Sequence, residues 1–75
     1  MTLSSKDIEK ILKSHGFVLS RQKGSHQQFV GVVRGEKRRV TVIAHQKSFA
    51  HGTLKSMIRQ SGLSVDEFIS KGNRD

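Results

Sequence analysis

The segment RQKGSHQQF, residues 21–29, combines side chains that could act on a phosphodiester. An imidazole titrates near neutral pH, so His26 could serve as a general acid or base. The cations Arg21 and Lys23 could hold a phosphate and stabilise the charge that develops on it. RNA carries its own nucleophile, the ribose 2′-hydroxyl, so its cleavage by such groups requires no metal. A histidine that merely contacts phosphate, or does nothing, would give the same pattern.

The other histidines have settings that favour other roles. His15 falls at the end of a predicted helix, where a cation interacts favourably with the helix dipole. His45 could contact RNA beside His26 if the third strand lies next to the second, and His51 is expected to begin the second helix. No cysteine or His-Glu-x-x-His pattern accompanies them, so we expect no metal site and no cofactor. A hydrolase pair of Ser25 and His26 is disfavoured because strand neighbours point to opposite faces.

The composition indicates a small basic protein with an anionic partner. Fourteen Lys and Arg against six Asp and Glu give a formal charge of +8 over 75 residues, a field that attracts nucleic acid or an acidic protein. There is no cysteine to form a disulfide. No signal peptide or membrane span is recognisable, so we expect a cytoplasmic protein without membrane contact. The four Phe are too few for an aromatic base-stacking surface.

The apolar periodicity predicts a helix followed by three antiparallel strands. Ser4 and Asp7 form a candidate capping box at the start of the helix, and Gly16 is placed to end it. In the first strand, strict alternation would put Leu19 on the face of Phe17 and opposite to Val18 and Ser20. The strands are expected at residues 17–22, 26–33 and 38–43, with the segment RGEK (34–37) as a hairpin turn.

A second helix is predicted after residues 44–52, with Leu54, Met57 and Ile58 on its buried face and Gly62 at its end. A second candidate capping box, SVDE at 64–67, starts a short third helix. We expect a single domain over residues 1–75, of the α+β class, in which helices cover one sheet face and leave the other to solvent or a partner. The terminal segments, residues 1–3 and 71–75, are expected to fray.

Three stretches of the chain together resemble the HicA family of small bacterial toxins. The likeness rests on the Gly24-Ser25-His26 step before a strand, a Val-Thr-Val strand and a Gly-Thr-Leu start of the second helix. The family often has proline after the third strand and before Gly-Thr-Leu, where this chain has Ala44 and His51. The resemblance covers about residues 4–69, in the stretches SSKDIEKILKSHGFVLSRQKGSHQQF, RRVTVIAH and GTLKSMIRQSGLSVDEF.

The resemblance implies a fold like that of the double-stranded-RNA-binding domain. It also implies an mRNA interferase, an endoribonuclease that a cognate HicB antitoxin holds inactive, with its catalytic histidine at His26. The second proton-transfer group stays open between His45, Lys23 and water. The residues expected to bind RNA are Arg21, Lys23, Gly24, Ser25 and Gln28.

Two other functions fit the sequence. A non-catalytic RNA-binding module of the same fold would use these cations on phosphates and 2′-hydroxyls, and its affinity would be sensitive to salt. A protein-interaction domain would use the basic face for an acidic partner.

Overall fold

A computed structural model describes residues 3–73. The strands form one antiparallel sheet in the order β1-β2-β3. The predicted α+β fold is confirmed, with the helix, three strands and helix of a double-stranded-RNA-binding domain and a short C-terminal helix. The elements are α1 (Ser5–Ser14), β1 (Val18–Lys23), β2 (His26–Val33), β3 (Glu36–Ile43), α2 (His51–Ser61) and α3 (Val65–Asn73).

Local signals set both ends of α1. The predicted capping box is present, since the Ser4 hydroxyl accepts from the Asp7 N–H and the Asp7 carboxylate accepts from the Ser4 N–H. At the other end, the chain leaves the helix at Gly16, and the Phe17 N–H donates to the Leu12 carbonyl at 2.9 Å. This is the Schellman pattern, which joins the buried Phe17 and Leu12 and sends the chain directly into β1.

The expected facing of Phe17, Val18 and Leu19 is confirmed, and a β-bulge after Leu19 then breaks the alternation of β1. Leu19 pairs with Phe29, whereas Arg21 pairs with Gln28, so Ser20 is the extra residue of the bulge. Strict alternation would have put Arg21 on the same face as Leu19. The bulge instead turns Arg21 to the opposite face of the sheet.

The helices pack on one face of the sheet, where they form a single core. The expected burial of Met57 and Ile58 on α2 is confirmed, and Leu54 is half-buried against the core. The sheet contributes Phe29, Val40 and Val42, and the helices and their ends add Ile8, Ile11, Leu12, Phe17, Leu63 and Phe68.

The expected fraying of the N-terminus is wrong at Leu3, which is only 5% exposed. Leu3 immediately precedes the cap of α1 and belongs to the same core cluster as Ile8, the arrangement of a hydrophobic staple. Helix α3 continues to Asn73, into the C-terminal segment that was expected to fray. The rest of both predicted frayed segments, residues 1–2 and 74–75, lies outside the described residues.

The hairpin between β2 and β3 is tighter than the four-residue turn that the sequence indicated. Arg34 and Gly35 both have positive φ, 51° and 83°, as in a type I′ turn, so β3 begins at Glu36. The Arg34 guanidinium donates to the Gly62 carbonyl at 3.1 Å and to the Glu67 carboxylate at 3.0 and 3.1 Å. The turn is therefore fastened to α3.

The fastening of the hairpin to α3 predicts a dependence of stability on acid. The Ser64 N–H donates to Glu67 at 2.8 Å, as in the predicted capping box, and Arg34 adds its hydrogen bonds. Together they lower the pKa of Glu67 from 4.5 to about 2. A lowered folded-state pKa stabilises the protein above pH 4.5, and that stabilisation is lost as the pH falls towards 2.

We therefore expect the free energy of unfolding of Glu67→Gln to lie below that of the wild type at pH 5. The difference should narrow steadily as the pH falls from 4.5 to 2, because the wild-type carboxylate is then protonated. Denaturant titrations of both proteins between pH 5 and pH 2 measure this difference in the free energy of unfolding. Two curves that run parallel down to pH 2 would contradict the assigned cause.

A side chain at Gly31 is predicted to destabilise the fold on packing grounds. A Cβ at this position of β2 would lie 2.8–3.0 Å from ring atoms of Phe17, which is fully buried and cannot move aside. Gly31→Ala should lower the free energy of unfolding by about 1–3 kcal/mol, the usual cost of overpacking. In the matched change Gly52→Ala, the new methyl group on α2 meets no atom within 4 Å, so stability should stay equal or rise. Equal losses in the two variants would contradict the prediction.

Candidate functional site

The face of the sheet opposite the helices gathers the residues that the sequence marked for chemistry. His26 pairs with Lys23 across the first hairpin, and Gln28 pairs with Arg21 on one side and Thr41 on the other. Paired residues in an antiparallel sheet share a face, so these five side chains lie on the same side. The bulge in β1 is the reason that both cations point there.

A surface depression of about 620 Å³ lies at this end of the sheet, within the range of roughly 300–1,000 Å³ typical of small-ligand sites. Ser25, which was expected to bind RNA, does not line it. Thr41 does line it, and the sequence reasoning did not select it as a site residue. Val40 and Val42 face the helices, so Thr41 between them lies on the open face, and its position opposite Gln28 depends on the strand register. The lining residues are Arg21, Lys23, Gly24, His26, Gln28 and Thr41.

The turn before His26 is a two-residue hairpin loop. Gly24 has a φ of 60° and Ser25 does not have a positive φ, the pattern of a type II′ turn, which favours glycine at its first position. The Gly24 carbonyl accepts a hydrogen bond from the Gln22 side chain at 3.1 Å, and the Ser25 carbonyl accepts from the Ala44 N–H at 2.7 Å. The turn thus holds His26 at the start of a strand and contacts the chain that leaves β3.

Ser5 connects α1 to this end of the sheet, and the sequence analysis did not identify it. Its hydroxyl, in a residue only 7% exposed, donates to the Ile43 carbonyl at 2.7 Å and accepts from the Gln46 N–H at 2.8 Å. The Ser5 N–H also donates to the Gln46 carbonyl at 2.9 Å. Because Ile43 pairs with His26 across the sheet, these bonds, which we call the Ser5 clamp, support the strand end beside His26. No sequence pattern signals a contact over this separation.

The depression is electropositive. Arg21 and Lys23 are exposed and form no ion pair among the described side chains, so both charges are available to an anion. The described residues contain no group of three or more histidine or carboxylate side chains that could hold a metal ion. The arrangement offers one imidazole, two cations and the polar groups of Gln28 and Thr41 to a bound phosphate.

Comparison with protein-family models shows the family to which the chain belongs. Residues 5–63 of the 75 match the family model of the HicA toxin of bacterial toxin-antitoxin systems. The chain belongs to the HicA toxin family. A member of this family is the toxin of a toxin–antitoxin pair, so an antitoxin is its partner. Curated proteins give no match to the chain. No helix of this HicA protein within residues 3–73 is long and apolar enough to cross a membrane.

The remaining histidines of the HicA chain lie outside the depression. His15 caps the C-terminal end of α1, and its Nε2 is buried without a hydrogen-bond partner among the described residues. His45 follows Ala44 in the turn after β3, and β3 does lie next to β2; a contact of His45 with RNA stays a prediction. His51 is the first residue of α2, as predicted.

The Ser5 clamp leads to a prediction about stability and site geometry. Ser5→Ala would leave the Ile43 carbonyl and the Gln46 N–H without their partner, a loss of about 1–3 kcal/mol in the free energy of unfolding. Ser14→Ala is the matched control, because its hydroxyl bonds only the Ile11 carbonyl one turn away in the same helix. Urea titration measures stability, and NMR shifts of residues 24–26 should move in the first variant only. Unchanged shifts in Ser5→Ala would contradict a role for the clamp beside His26.

Proposed function

We propose that this HicA toxin is an mRNA interferase, an endoribonuclease that cleaves RNA with a histidine and without a metal ion. The proposal is carried by one observation: His26 shares a depression with Arg21 and Lys23 on the open face of the sheet. All three side chains stand on or beside a hairpin, so their spacing is held by a rigid element, as catalysis requires. The reaction takes place in the cytoplasm, where mRNA is translated.

In this mechanism the ribose 2′-oxygen attacks the adjacent phosphorus. His26 takes the proton from the 2′-hydroxyl or gives a proton to the departing 5′-oxygen, and the bond between phosphorus and that oxygen breaks. Lys23 and Arg21 hold the phosphate and stabilise the extra negative charge of the pentacovalent transition state. The products are a 2′,3′-cyclic phosphate, which can hydrolyse to a 3′-phosphate, and a 5′-hydroxyl end. The second proton-transfer role falls to Lys23, His45 or water.

The other residues of the depression orient the RNA. Gln28 and Thr41 present an amide and a hydroxyl opposite one another across β2 and β3, within reach of ribose or base edges. Gly24 brings the backbone close to the phosphate without a side chain in between, and Ser25 supplies a hydroxyl at the rim.

We further propose that the antitoxin is of the HicB type and that it inhibits by covering His26. The open face is positively charged, so a partner with acidic side chains would bind it and exclude RNA at the same time. A structure of the complex tests this directly. A toxin whose His26 is fully accessible in the inhibited complex would contradict steric inhibition.

His26→Ala should reduce the rate of cleavage roughly 10²–10⁴-fold, because the proton transfer is no longer assisted. The substrate is a defined single-stranded RNA, EDTA is present, and circular dichroism verifies that each protein is folded. His51→Ala is the matched control, since His51 is exposed at the start of α2, and it should retain wild-type activity.

The ends of the products and the behaviour of the wild type decide between the alternatives. Ends with a 5′-phosphate and strict dependence on a metal would contradict the mechanism. If the wild type does not cleave RNA, and its affinity for RNA equals that of His26→Ala, the result would instead favour the non-catalytic RNA-binding module.

A further inference from the structure

The open face of the sheet extends well beyond the depression at His26, towards the hairpin at Arg34. Along β2 the outward residues change from His26 and Gln28 to valines, and Val32 is 60% exposed. Val18 on β1, 59% exposed, widens this apolar strip. A second depression of about 710 Å³ lies there. It is lined in part by Val18, Val30, Val32, Lys37 and Arg39.

Two cations on β3 border this apolar strip. The strand register places Arg39 opposite Val30 and Lys37 opposite Val32, so both point to the open face. Both are exposed, and neither forms an ion pair among the described side chains.

No carboxylate balances the cations on this face. The outward positions of the three strands, assigned from register and alternation, include no Asp or Glu. The one acidic residue in the sheet, Glu36, pairs with Arg38 on the other side. The outward positions of the strands thus carry only cationic or uncharged side chains from one end to the other, as expected of a surface that binds a polyanion.

The spacing of these residues matches an extended nucleic acid strand. Two residues of a β-strand span roughly 6.8 Å, which is about the distance between successive phosphates in an extended single strand. Arg39 pairs with Val30, four residues along β2 from His26, and Lys37 pairs with Val32, six residues from His26. Along the strand direction, these separations from His26 are roughly 14 and 20 Å. A strand with one phosphate at His26 would therefore bring its second and third following phosphates to these cations.

We propose that single-stranded RNA lies along the outward face of β2, from His26 to Val32, with its phosphates on Arg39 and Lys37. We call this surface the β2 track. The valines contact ribose and base faces and offer no hydrogen bonds, so the valine part of the track binds RNA without reading its sequence. The choice of RNA over an acidic polypeptide follows from the continuity of the track with the His26 depression, because an extended polypeptide would repeat its side chains at the same spacing. That the strand is cut at His26 rests on the proposed function; binding along the track does not.

The test compares two double variants of equal charge change in a His26→Ala background, in which the RNA stays intact. Lys37→Gln/Arg39→Gln removes the track cations. Lys55→Gln/Arg59→Gln removes two exposed cations on α2, which packs on the other side of the sheet. The probe is a fluorescent eight-nucleotide single-stranded RNA, and its affinity is measured by anisotropy between 50 and 300 mM salt, values chosen to resolve the counterion effect.

The track variant should weaken binding by roughly tenfold at low salt. It should also reduce the slope of log affinity against log salt by about 1.4, because each lost contact with a single-strand phosphate removes about 0.7. The α2 variant should keep the slope of the parent. Equal losses in both variants would overturn the track in favour of a general charge effect. Unchanged binding in the track variant would overturn it outright.

Two further measurements distinguish single-stranded RNA from other ligands, and distinguish a failure of the track from a failure of the proposed function. Stronger loss of binding to poly-glutamate than to RNA in the track variant would overturn the proposal in favour of an acidic polypeptide. A matched RNA duplex with the same loss of slope would overturn its restriction to single strands. If wild-type protein fails to cleave RNA while the track variant is selectively weakened, the proposed chemistry falls and the track stands. If the wild type cleaves RNA but the track variant and the α2 variant bind RNA with equal affinity, the proposed chemistry stands and the track falls.

Discussion

The one-sided packing of the sheet is the constraint on which the rest of this structure depends. A chain of 75 residues supports one core, and its helices bury the side chains of Phe29, Val40 and Val42 on a single sheet face. The burial of these apolar groups stabilises the fold, and the alternation of the strands sends their neighbours to the opposite face. Within residues 3–73, no helix covers that opposite face. Its side chains are therefore free to bind other molecules.

The bulge in β1 determines which charges reach the open face. A regular strand would have continued the alternation of Leu19 and directed Arg21 and Lys23 to the helix side of the sheet, away from His26. One extra residue reverses the facing of the strand beyond it and brings both cations beside His26. Electrostatic preorganisation in this small site thus arises from a backbone irregularity rather than from a dedicated loop.

Local information was sufficient for much of this fold. The capping box of Ser4 and Asp7, the end of α2 at Gly62 and the bounds of β2 all follow from residues close together in the chain. The same reason explains the candidate site, because Arg21, Lys23 and His26 belong to one hairpin. The bulge, the Ser5 clamp and Thr41 in the depression could not be predicted, since each depends on the strand register or on a hydrogen bond between distant segments. Leu3 is buried although it lies near the terminus, because its apolar side chain packs with the core beside the cap of α1.

The Ser5 clamp also imposes an order on folding. The hairpin that carries His26 joins residues that are neighbours in the chain, whereas the hydrogen bonds of Ser5 to Ile43 and Gln46 close loops of 38 and 41 residues. Closing a long loop costs more chain entropy, so such contacts form after local ones. During synthesis the histidine therefore enters its strand first, and its surroundings are completed only after residue 46 has emerged. A nascent chain carries His26 before it carries the frame that supports this histidine.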